Sequence, residues 1–373
     1  MAAILLRGPA LTEKELTAQE WFDKGFNATD ADDQVRFYSE VIQLDGDFAD
    51  AFNNRGAARY YKGDLEGALE DFSEAIRLRP EYVDAINNRG AAREVKGDLE
   101  GAIEDYTTAV QLNPNHGGAY YNRGNIRDGQ GDLEGAIRDY SEAIRIEPND
   151  AVAFNNRGLA RKALGDLEGA IADYSEVIRL EPDDEEAYHN RGLARFSQGD
   201  PDGAILDYNE TIRLSPNYAQ AFNNRGAARK LKGDGLGAIR DYNEAIRLRP
   251  NYAQPFNNRG AARKVKGDGL GAIRDFNEAI RLMPNAADAF YNRGNTRRDE
   301  GYLSSAIRDY SEAIRLKPDD ADALYNRGKI WQRMENTDFA LADFRKCLEL
   351  GGGTRSGGQE AIEEIIRQLE KAL

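Results

Sequence analysis

The strongest constraint in this sequence is a period of 34 residues. The tripeptide Asn-Arg-Gly recurs nine times at this spacing, and its glycine falls at Gly56, Gly90, Gly124, Gly158, Gly192, Gly226, Gly260, Gly294 and Gly328. Residues 219–252 and 253–286 differ at only five positions, which is typical of a recent duplication. A fixed period of this length indicates a repeat architecture, in which each copy buries its apolar face only against its neighbours. The sequence therefore predicts one array of nine copies.

Composition narrows the classes of partner. The chain has 373 residues and a formal net charge of −15, whereas general nucleic-acid binding needs a basic surface. Its single cysteine, Cys347, cannot form an internal disulfide. No apolar run is long enough for a secretory signal or a membrane span. We therefore expect a cytoplasmic protein that binds neither nucleic acid nor membrane.

Each copy has the pattern of two amphipathic helices. With the marker glycine as position 8 of 34, positions 4, 8 and 11 share one face of a first helix, and positions 20, 24, 27 and 28 form the apolar stripe of a second. A turn that usually contains Gly-Asp separates the two helices. Proline at position 32 ends most copies, because proline cannot continue a helix. One such hairpin has too little core to fold alone, so the copies must stack.

This pattern resembles the tetratricopeptide repeat, whose signature combines glycine at position 8, alanine at 20, an aromatic residue at 24 and proline at 32. Position 20 is alanine in all nine copies, and position 24 is always Phe or Tyr. The resemblance implies an all-α fold, an α-solenoid of stacked antiparallel helix hairpins that forms a right-handed superhelix with its first helices on the concave surface. Members of this family mostly bind proteins or peptides and rarely catalyse reactions.

The two ends depart from the repeat. Residues 18–48 resemble a degenerate copy, with Trp21 at position 4 and Gly25 at position 8. A C-terminal segment has the apolar spacing of an amphipathic helix; we expect it to cap the last hairpin, and the alternative is a helix offered to a partner. The predicted boundaries are a leader at 1–17, the degenerate repeat at 18–48, nine repeats at 49–354, a glycine-rich hinge at 351–358 and the C-terminal helix at 359–373.

Two arginines in each copy differ from the family pattern. Position 7 is arginine in all nine copies and position 11 in eight, and both lie on the packing face. A buried guanidinium must be paired, and position 23 is aspartate in all nine copies. We predict that position 7 pairs with position 23, inside each hairpin or across to its neighbour, as Arg55 with Asp71. Position 11 is expected to pair with the glutamate at position 26, as Arg59 with Glu74. The alternative is an arginine stripe that binds phosphates or acidic peptides.

Position 6 is asparagine in every copy and gives the candidate site. Its carboxamide both donates and accepts hydrogen bonds, which suits the main chain of an extended peptide. The row is similar to the asparagine ladder in the tetratricopeptide arm of O-linked N-acetylglucosamine transferase, which holds peptide main chain. The alternative is that each asparagine links neighbouring first helices. The row consists of Asn54, Asn88, Asn122, Asn156, Asn190, Asn224, Asn258, Asn292 and Asn326.

Position 5 varies between copies, as a specificity position would. It includes Tyr121, His189, Tyr291 and Tyr325, which we add to the predicted peptide-binding residues. No copy has the lysine that the carboxylate clamp of chaperone-binding family members uses at this position, so chaperone C-terminal tails are not expected ligands. Position 12 is acidic in the second and third copies and basic in the fourth, as Lys162, and in the sixth to eighth. This polarity predicts a ligand whose acidic part lies against the later copies, or head-to-tail contact between two molecules.

No catalytic constellation is recognisable. With two histidines and one cysteine, the chain is not expected to build a zinc site or a nucleophilic triad, and no cofactor is predicted. The predicted function is that of a non-catalytic adaptor or regulatory subunit, which binds an extended segment of another protein in the concave groove. The alternative is a scaffold that self-associates by end-to-end or head-to-tail stacking.

Overall fold

The computed structural model describes residues 16–352 and 358–371, and in these residues it contains twenty-one α-helices and no β-strand. An N-terminal hairpin precedes the nine repeats, and a single helix follows them. The N-terminal hairpin is α1 (Ala18–Asn27) and α2 (Ala31–Leu44), and the final helix is α21 (Gln359–Lys371). The first helices of the repeats are α3 (Ala49–Tyr61), α5 (Val83–Lys96), α7 (Gly117–Gly129), α9 (Ala151–Leu164), α11 (Glu185–Gln198), α13 (Ala219–Leu231), α15 (Ala253–Val265), α17 (Ala287–Asp299) and α19 (Ala321–Arg333). The second helices are α4 (Leu65–Leu78), α6 (Leu99–Leu112), α8 (Leu133–Ile146), α10 (Leu167–Leu180), α12 (Pro201–Leu214), α14 (Gly235–Leu248), α16 (Gly269–Leu282), α18 (Leu303–Leu316) and α20 (Thr337–Glu349).

The chain divides into two compact units, Met1–Pro182 with α1 to α10 and Asp183–Leu373 with α11 to α21. Within each unit every helix packs against the next, and first helices of neighbouring repeats also touch, as α13 and α15 do. The predicted all-α fold of stacked helix hairpins is confirmed within each unit. Residues 1–15 of the predicted leader, 353–357 of the predicted hinge and 372–373 of the predicted C-terminal helix lie outside the described residues.

The turn inside each hairpin is fixed by two neighbouring residues. Glycine at position 15 has a φ between 82° and 91° in eight repeats, a left-handed conformation that glycine adopts without a steric penalty. In the ninth repeat Glu335 takes this place with a φ of 58°. Position 16 is the N-cap of the second helix, and in seven repeats an aspartate there accepts a hydrogen bond from the glycine amide three residues on, as Asp234 does from Gly237 at 2.8 Å. The two helices are therefore joined at a defined angle by a short turn.

The centre of each hairpin is an aromatic ring packed on a glycine. Tyr242, at position 24, is 1% exposed, and its ring lies against the backbone of Gly226. A Cβ atom on Gly226 would come within 2.7 Å of Tyr242 Cε1. Glycine at position 8 is therefore required for close approach of the two helices.

A buried aspartate joins the two helices of each repeat. Asp241 on α14 is 4% exposed and accepts a bidentate pair of hydrogen bonds from Arg225 on α13, at 3.0 and 2.7 Å. Arg229, one turn further along α13, donates to the same carboxylate at 2.8 Å. The pairing of positions 7 and 23 is present in all nine repeats and confirms that prediction.

The predicted partner of the second arginine was wrong. Arg59 donates to Asp71 at 2.9 Å and to the Gly67 carbonyl at 3.1 Å, whereas Glu74 pairs with Arg77 on the exposed side of α4 at 2.6 Å. The buried carboxylate attracts both guanidinium groups because it has lost its water, while a rim glutamate finds a cation three residues away on its own helix.

The arginine at position 7 also reaches back to the preceding repeat. Arg225 Nη1 donates to the Asn209 side chain at 2.7 Å, and Arg327 Nη1 donates to the Ser311 hydroxyl at 2.9 Å. Both partners occupy position 25 of the repeat before. One side chain thus holds its own hairpin together and ties that hairpin to its neighbour.

The C-terminal helix packs on the last repeat. Ile362 and Ile366 of α21 are buried in a cluster with Leu341, Phe344 and Cys347 of α20. Arg345 adds an ion pair with Glu370 at 2.6 Å. The apolar face of α21 therefore covers the end of the second unit.

Replacing the glycine under the aromatic ring should destabilise the fold. Gly226→Ala forces the buried Tyr242 ring to shift, at a cost of about 1–3 kcal/mol. Gly129→Ala is the matched control, because this exposed helical glycine has nothing within 4 Å of an added Cβ, and its replacement should stabilise by up to about 1 kcal/mol. Urea unfolding followed by circular dichroism measures both; equal effects of the two substitutions would contradict the packing argument.

The two arginines on Asp241 should differ in their contribution to stability. Arg225→Met removes a bidentate pair and leaves Asp241 with one partner, so we expect a loss of about 3–5 kcal/mol. Arg229 is 26% exposed and makes one hydrogen bond to Asp241, so Arg229→Met should cost about 1–2 kcal/mol. Urea denaturation is measured for both variants, for Asp241→Leu and for Asp241→Leu combined with Arg225→Met. The two single variants and the double variant give the coupling energy between Arg225 and Asp241. Additive losses in the double variant would rule out the pairing as a source of stability.

Candidate peptide-binding groove

The asparagines at position 6 link neighbouring first helices. Each is half-buried, and in seven of the nine the side-chain nitrogen contacts the residue at position 5 of the preceding repeat; the exceptions are Asn54 and Asn190. Asn258 donates to Asn223 at 2.9 Å, and Asn88 donates to Asn53 at 3.1 Å. Asn292 donates to Asn257 at 3.1 Å, and the Asn122 contact to Asn87 is long at 3.5 Å. The row therefore fixes the register of successive first helices within each unit.

Where position 5 is not asparagine, a ring takes over the acceptor role. Asn156 donates to the Tyr121 hydroxyl and Asn326 to the Tyr291 hydroxyl, both at 3.1 Å. Asn224 lies 3.0 Å from His189 Nε2. Asn54 differs, because its 3.4 Å contact is to the hydroxyl of Tyr38 on α2, the second helix of the N-terminal hairpin. Tyr121, Tyr291 and His189 at position 5 thus contribute contacts between neighbouring first helices.

Three predicted site residues, His189, Tyr325 and Asn190, differ in burial and in their neighbours. His189 is 9% exposed and stacks near Tyr218, with ring centroids 4.9 Å apart. Tyr325 is half-buried, with its ring 5.8 Å from Phe344. Asn190 is half-buried on α11.

Five of the nine asparagines keep an open side-chain oxygen. The other four accept a hydrogen bond: Asn54, Asn156 and Asn224 accept from their own position 5 neighbours, and Asn326 accepts from Arg298 at 2.9 Å. Among the described residues, no donor reaches the side-chain oxygens of the remaining five. Of these, Asn190 forms no side-chain hydrogen bond with a described residue. The four that also donate to the preceding repeat are Asn88, Asn122, Asn258 and Asn292.

The asparagines at position 9 make polar contacts that were not predicted from the sequence. Asn125 accepts from the Tyr140 hydroxyl at 2.9 Å and from Asn156 of the next repeat at 3.3 Å. Asn295 does the same for Tyr310 and Asn326. The signal was available, because asparagine at position 9 occurs only in repeats with tyrosine at both positions 5 and 24. Where position 9 is leucine, the buried Tyr208 hydroxyl has no hydrogen-bond partner in the described part of the chain.

The charged side chains at position 12 have different partners in the two units. Glu94 of the second repeat accepts from the Tyr106 hydroxyl at 3.0 Å. In the second unit Lys264 and Arg298 both contact Asp299, each at 2.9 Å. Burial by itself would raise the pKa of Asp299, but the hydrogen bonds from Lys264 and Arg298 outweigh it and hold that pKa below its usual value.

A cavity of about 260 Å³ opens between the first helices of the eighth and ninth repeats. Arg298, Tyr325 and Asn326 contribute to its lining. No group of three histidine, cysteine, aspartate or glutamate side chains suited to a metal ion occurs in the described residues. Likewise, none of the helices described is both long and apolar enough to cross a membrane.

Stacked hairpins with a polar row along their first helices define a helical-repeat protein. Family models described as "TPR repeat" match residues 96–127, 129–165, 158–199, 192–233 and 294–334, and one described as "Tetratricopeptide repeat" matches residues 49–82. The chain belongs to the tetratricopeptide repeat family, whose members generally mediate protein–protein interactions. No curated protein matches the sequence.

Two similar solved structures with TM-scores above 0.5 support the fold. A tetratricopeptide repeat protein from Parabacteroides merdae has a TM-score of 0.53 at 20% identity, over 66% of this chain and 98% of its own. The Cut9–Hcn1 hetero-tetramer of the APC/C has a TM-score of 0.53 at 14% identity, over 91% of this chain and 82% of its own. YrrB, described as a TPR protein with an unusual peptide-binding site, has a TM-score of 0.48 at 23% identity, over 50% of this chain and 96% of its own.

Two asparagines of the position 6 row should differ in their contribution to stability. Asn258→Ala removes the donor to Asn223, which is 1% exposed, so the stranded oxygen should cost about 1–3 kcal/mol of stability. Asn292→Ala strands Asn257, which is only half-buried and can bind water instead, so its cost should be below about 1 kcal/mol. Thermal unfolding of the two variants side by side tests the difference, and a larger loss for Asn292→Ala would contradict it.

Proposed function

We propose that this chain is a non-catalytic adaptor or regulatory subunit that binds an extended segment of another protein along its first helices. The observation that carries the proposal is the state of Asn88, Asn122, Asn258 and Asn292. Each uses its side-chain nitrogen to contact the preceding helix and leaves its oxygen open. A hydrogen-bond acceptor that is already held in place loses little entropy when it binds a donor.

The spacing of these oxygens suits peptide main chain. Asn88 and Asn122 lie on neighbouring first helices of the first unit, and Asn258 and Asn292 lie on neighbouring first helices of the second. Packed helices are about 8–10 Å apart. A polyproline II chain advances about 9 Å every three residues and leaves its backbone N–H groups unpaired. Open oxygens on two neighbouring first helices can therefore accept from two backbone amides that lie three residues apart in such a segment.

Recognition of this kind depends little on the sequence of the ligand. Main-chain amides are common to all residues except proline, so the asparagines supply affinity for an extended backbone. Selectivity then comes from the residues beside the row, at positions 5, 9, 12 and 13, which differ between repeats. This division of labour suits an adaptor whose partner presents an unfolded segment.

The groove asparagines should reduce binding without unfolding the protein. Peptides selected from a random library against the full chain provide the ligand, and fluorescence anisotropy provides the affinity. The combined variant Asn122→Ala and Asn292→Ala should bind about 5- to 100-fold more weakly, since each lost hydrogen bond contributes about 0.5–1.5 kcal/mol. The melting temperature should change little.

Exposed asparagines in the inter-repeat turns supply the control. Asn149→Ala and Asn285→Ala change the same residue type away from the first helices and should leave peptide affinity unchanged. Equal affinity of the groove variant and wild type would refute the proposal. Sedimentation of the free chain is run in parallel, because a mass that rises with protein concentration would favour the self-associating scaffold instead.

A further inference from the structure

The eighth repeat contains a carboxylate held between two cations on neighbouring first helices. Asp299, at position 13 of α17, accepts from Lys264 of the preceding repeat at 2.9 Å and from Arg298 of its own repeat at 2.9 and 3.0 Å. The two cations occupy position 12 of successive repeats. This arrangement shows where a carboxylate lies when it bridges two position 12 side chains.

One repeat earlier the cations remain and the carboxylate is missing. Lys230 and Lys264 occupy position 12 of the sixth and seventh repeats, and Val265 stands at position 13 of α15 where the next repeat has Asp299. Lys230 is exposed and forms no ion pair with any described residue. Val265 is 79% exposed, and Leu231, its counterpart on α13, is 65% exposed. An unpaired cation therefore lies beside two uncovered apolar side chains.

One lysine nearby does not share this condition. Lys232, two residues from Lys230, forms an ion pair with Asp202 of the preceding repeat. Positions 12 and 13 of the sixth to eighth repeats contain one acidic side chain, Asp299, and three cations, Lys230, Lys264 and Arg298. The net charge of these positions is therefore +2. Exposed apolar side chains beside an unpaired cation are typical of a surface that a ligand covers.

We propose that Lys230 and Lys264 bind a carboxylate side chain of the partner segment, placed beside Val265 where Asp299 stands one repeat later. An apolar ligand residue three positions away in the segment packs on Leu231. The proposal rests on the proposed function, since it assigns the class of segment that the groove selects. The ligand is thus an extended segment with an acidic and an apolar residue at a spacing of three.

The spacing follows from the repeat itself. Leu231 and Val265 occupy the same position on adjacent first helices, which pack about 8–10 Å apart. Residues i and i+3 of a polyproline II segment project from the same side about 9 Å apart. A spacing of two or four residues turns one of the side chains away from the groove. The carboxylate and the apolar side chain therefore reach their two contacts together only at a spacing of three.

Designed peptides can test the site directly. The probes are fluorescein-labelled proline-rich peptides of about twelve residues, with leucine and glutamate three residues apart, in both orders. Control peptides carry glutamine for glutamate, or separate the two residues by two positions. We expect the glutamate peptide in one order to bind the full chain at least about fivefold more tightly than either control, and raising NaCl from about 0.05 M to about 0.5 M should remove this preference.

Two substitutions exchange the position 13 residues of the seventh and eighth repeats. Val265→Asp places a carboxylate where Asp299 lies in the next repeat, so it should pair with Lys230 and Lys264 and weaken the glutamate peptide about tenfold. Asp299→Val should open a second site between Lys264 and Arg298 and strengthen, by about fivefold, a peptide with two glutamates three residues apart. Both positions are exposed ends of first helices, and each new residue occurs naturally at the same position of a neighbouring repeat.

Lys232→Gln is the matched control, because it removes the same charge from the same repeat but from a lysine already paired with Asp202. It should leave the affinity for the glutamate peptide within about twofold, whereas Lys230→Gln should weaken it about fivefold. Equal affinities of glutamate and glutamine peptides, or equal effects of Lys230→Gln and Lys232→Gln, would overturn the carboxylate site.

Failure of this site can be told apart from failure of the groove. Library-selected peptides that lose affinity in the Asn122→Ala and Asn292→Ala variant but show no acidic preference would remove the carboxylate site and keep the proposed function. Salt-sensitive self-association that Val265→Asp abolishes would show that a second copy of the chain occupies the site, and would overturn the assignment to an extended segment.

Discussion

The aspartate at position 23 is the constraint on which the rest of each repeat depends. It is almost fully buried, as Asp241 illustrates, and it is held by two guanidinium groups from the facing helix. A carboxylate in that environment is tolerable only if its partners stay in place. The helices of a hairpin therefore cannot slide or rotate past each other without exposing an uncompensated buried charge. The glycine and aromatic ring at positions 8 and 24 add close packing to this electrostatic restraint.

This restraint explains how a groove can be polar and still ordered. Because the first helix is held from behind by Arg225 and Arg229, its opposite face is free to carry side chains chosen for contacts with neighbouring helices or with ligands. In four repeats the asparagine at position 6 contacts the neighbouring first helix through its side-chain nitrogen and keeps its oxygen available for a ligand. The arginine stripe considered as a phosphate or acidic-peptide site is instead neutralised inside the fold, whereas Lys230 at position 12 is exposed.

Much of this architecture was predictable because it is encoded within 34 residues. The helices, the turn glycine and the pairing of Arg55 with Asp71 all follow from periodicity and from the rule that buried charges are paired. The pairing of Arg59 with Glu74 was predicted wrongly, since spacing alone gives no ranking between a rim glutamate and a buried aspartate that already has one partner. Competition for a desolvated carboxylate is a property of the packed state.

Contacts between repeats were harder to predict than contacts within them. The acceptor for Asn258 lies 35 residues earlier in the chain, at Asn223, and its identity depends on how one first helix is displaced relative to the next. Nothing in the local pattern of either helix sets that displacement. The open oxygens of the row were unpredictable for the same reason, because an oxygen is open only where no side chain of the adjacent repeat reaches it.

The backward contacts of each repeat accept several kinds of partner. Arg225, Arg327 and Arg123 reach an asparagine, a serine and a threonine at position 25 of the repeat before, and the asparagines of position 6 use asparagine, tyrosine or histidine at position 5. A copy inserted by unequal recombination therefore meets compatible neighbours on both sides without second-site changes. The gene can lengthen or shorten in steps of 34 codons while the protein still folds, and the near-identity of the sixth and seventh repeats is what a recent step of this kind would leave behind.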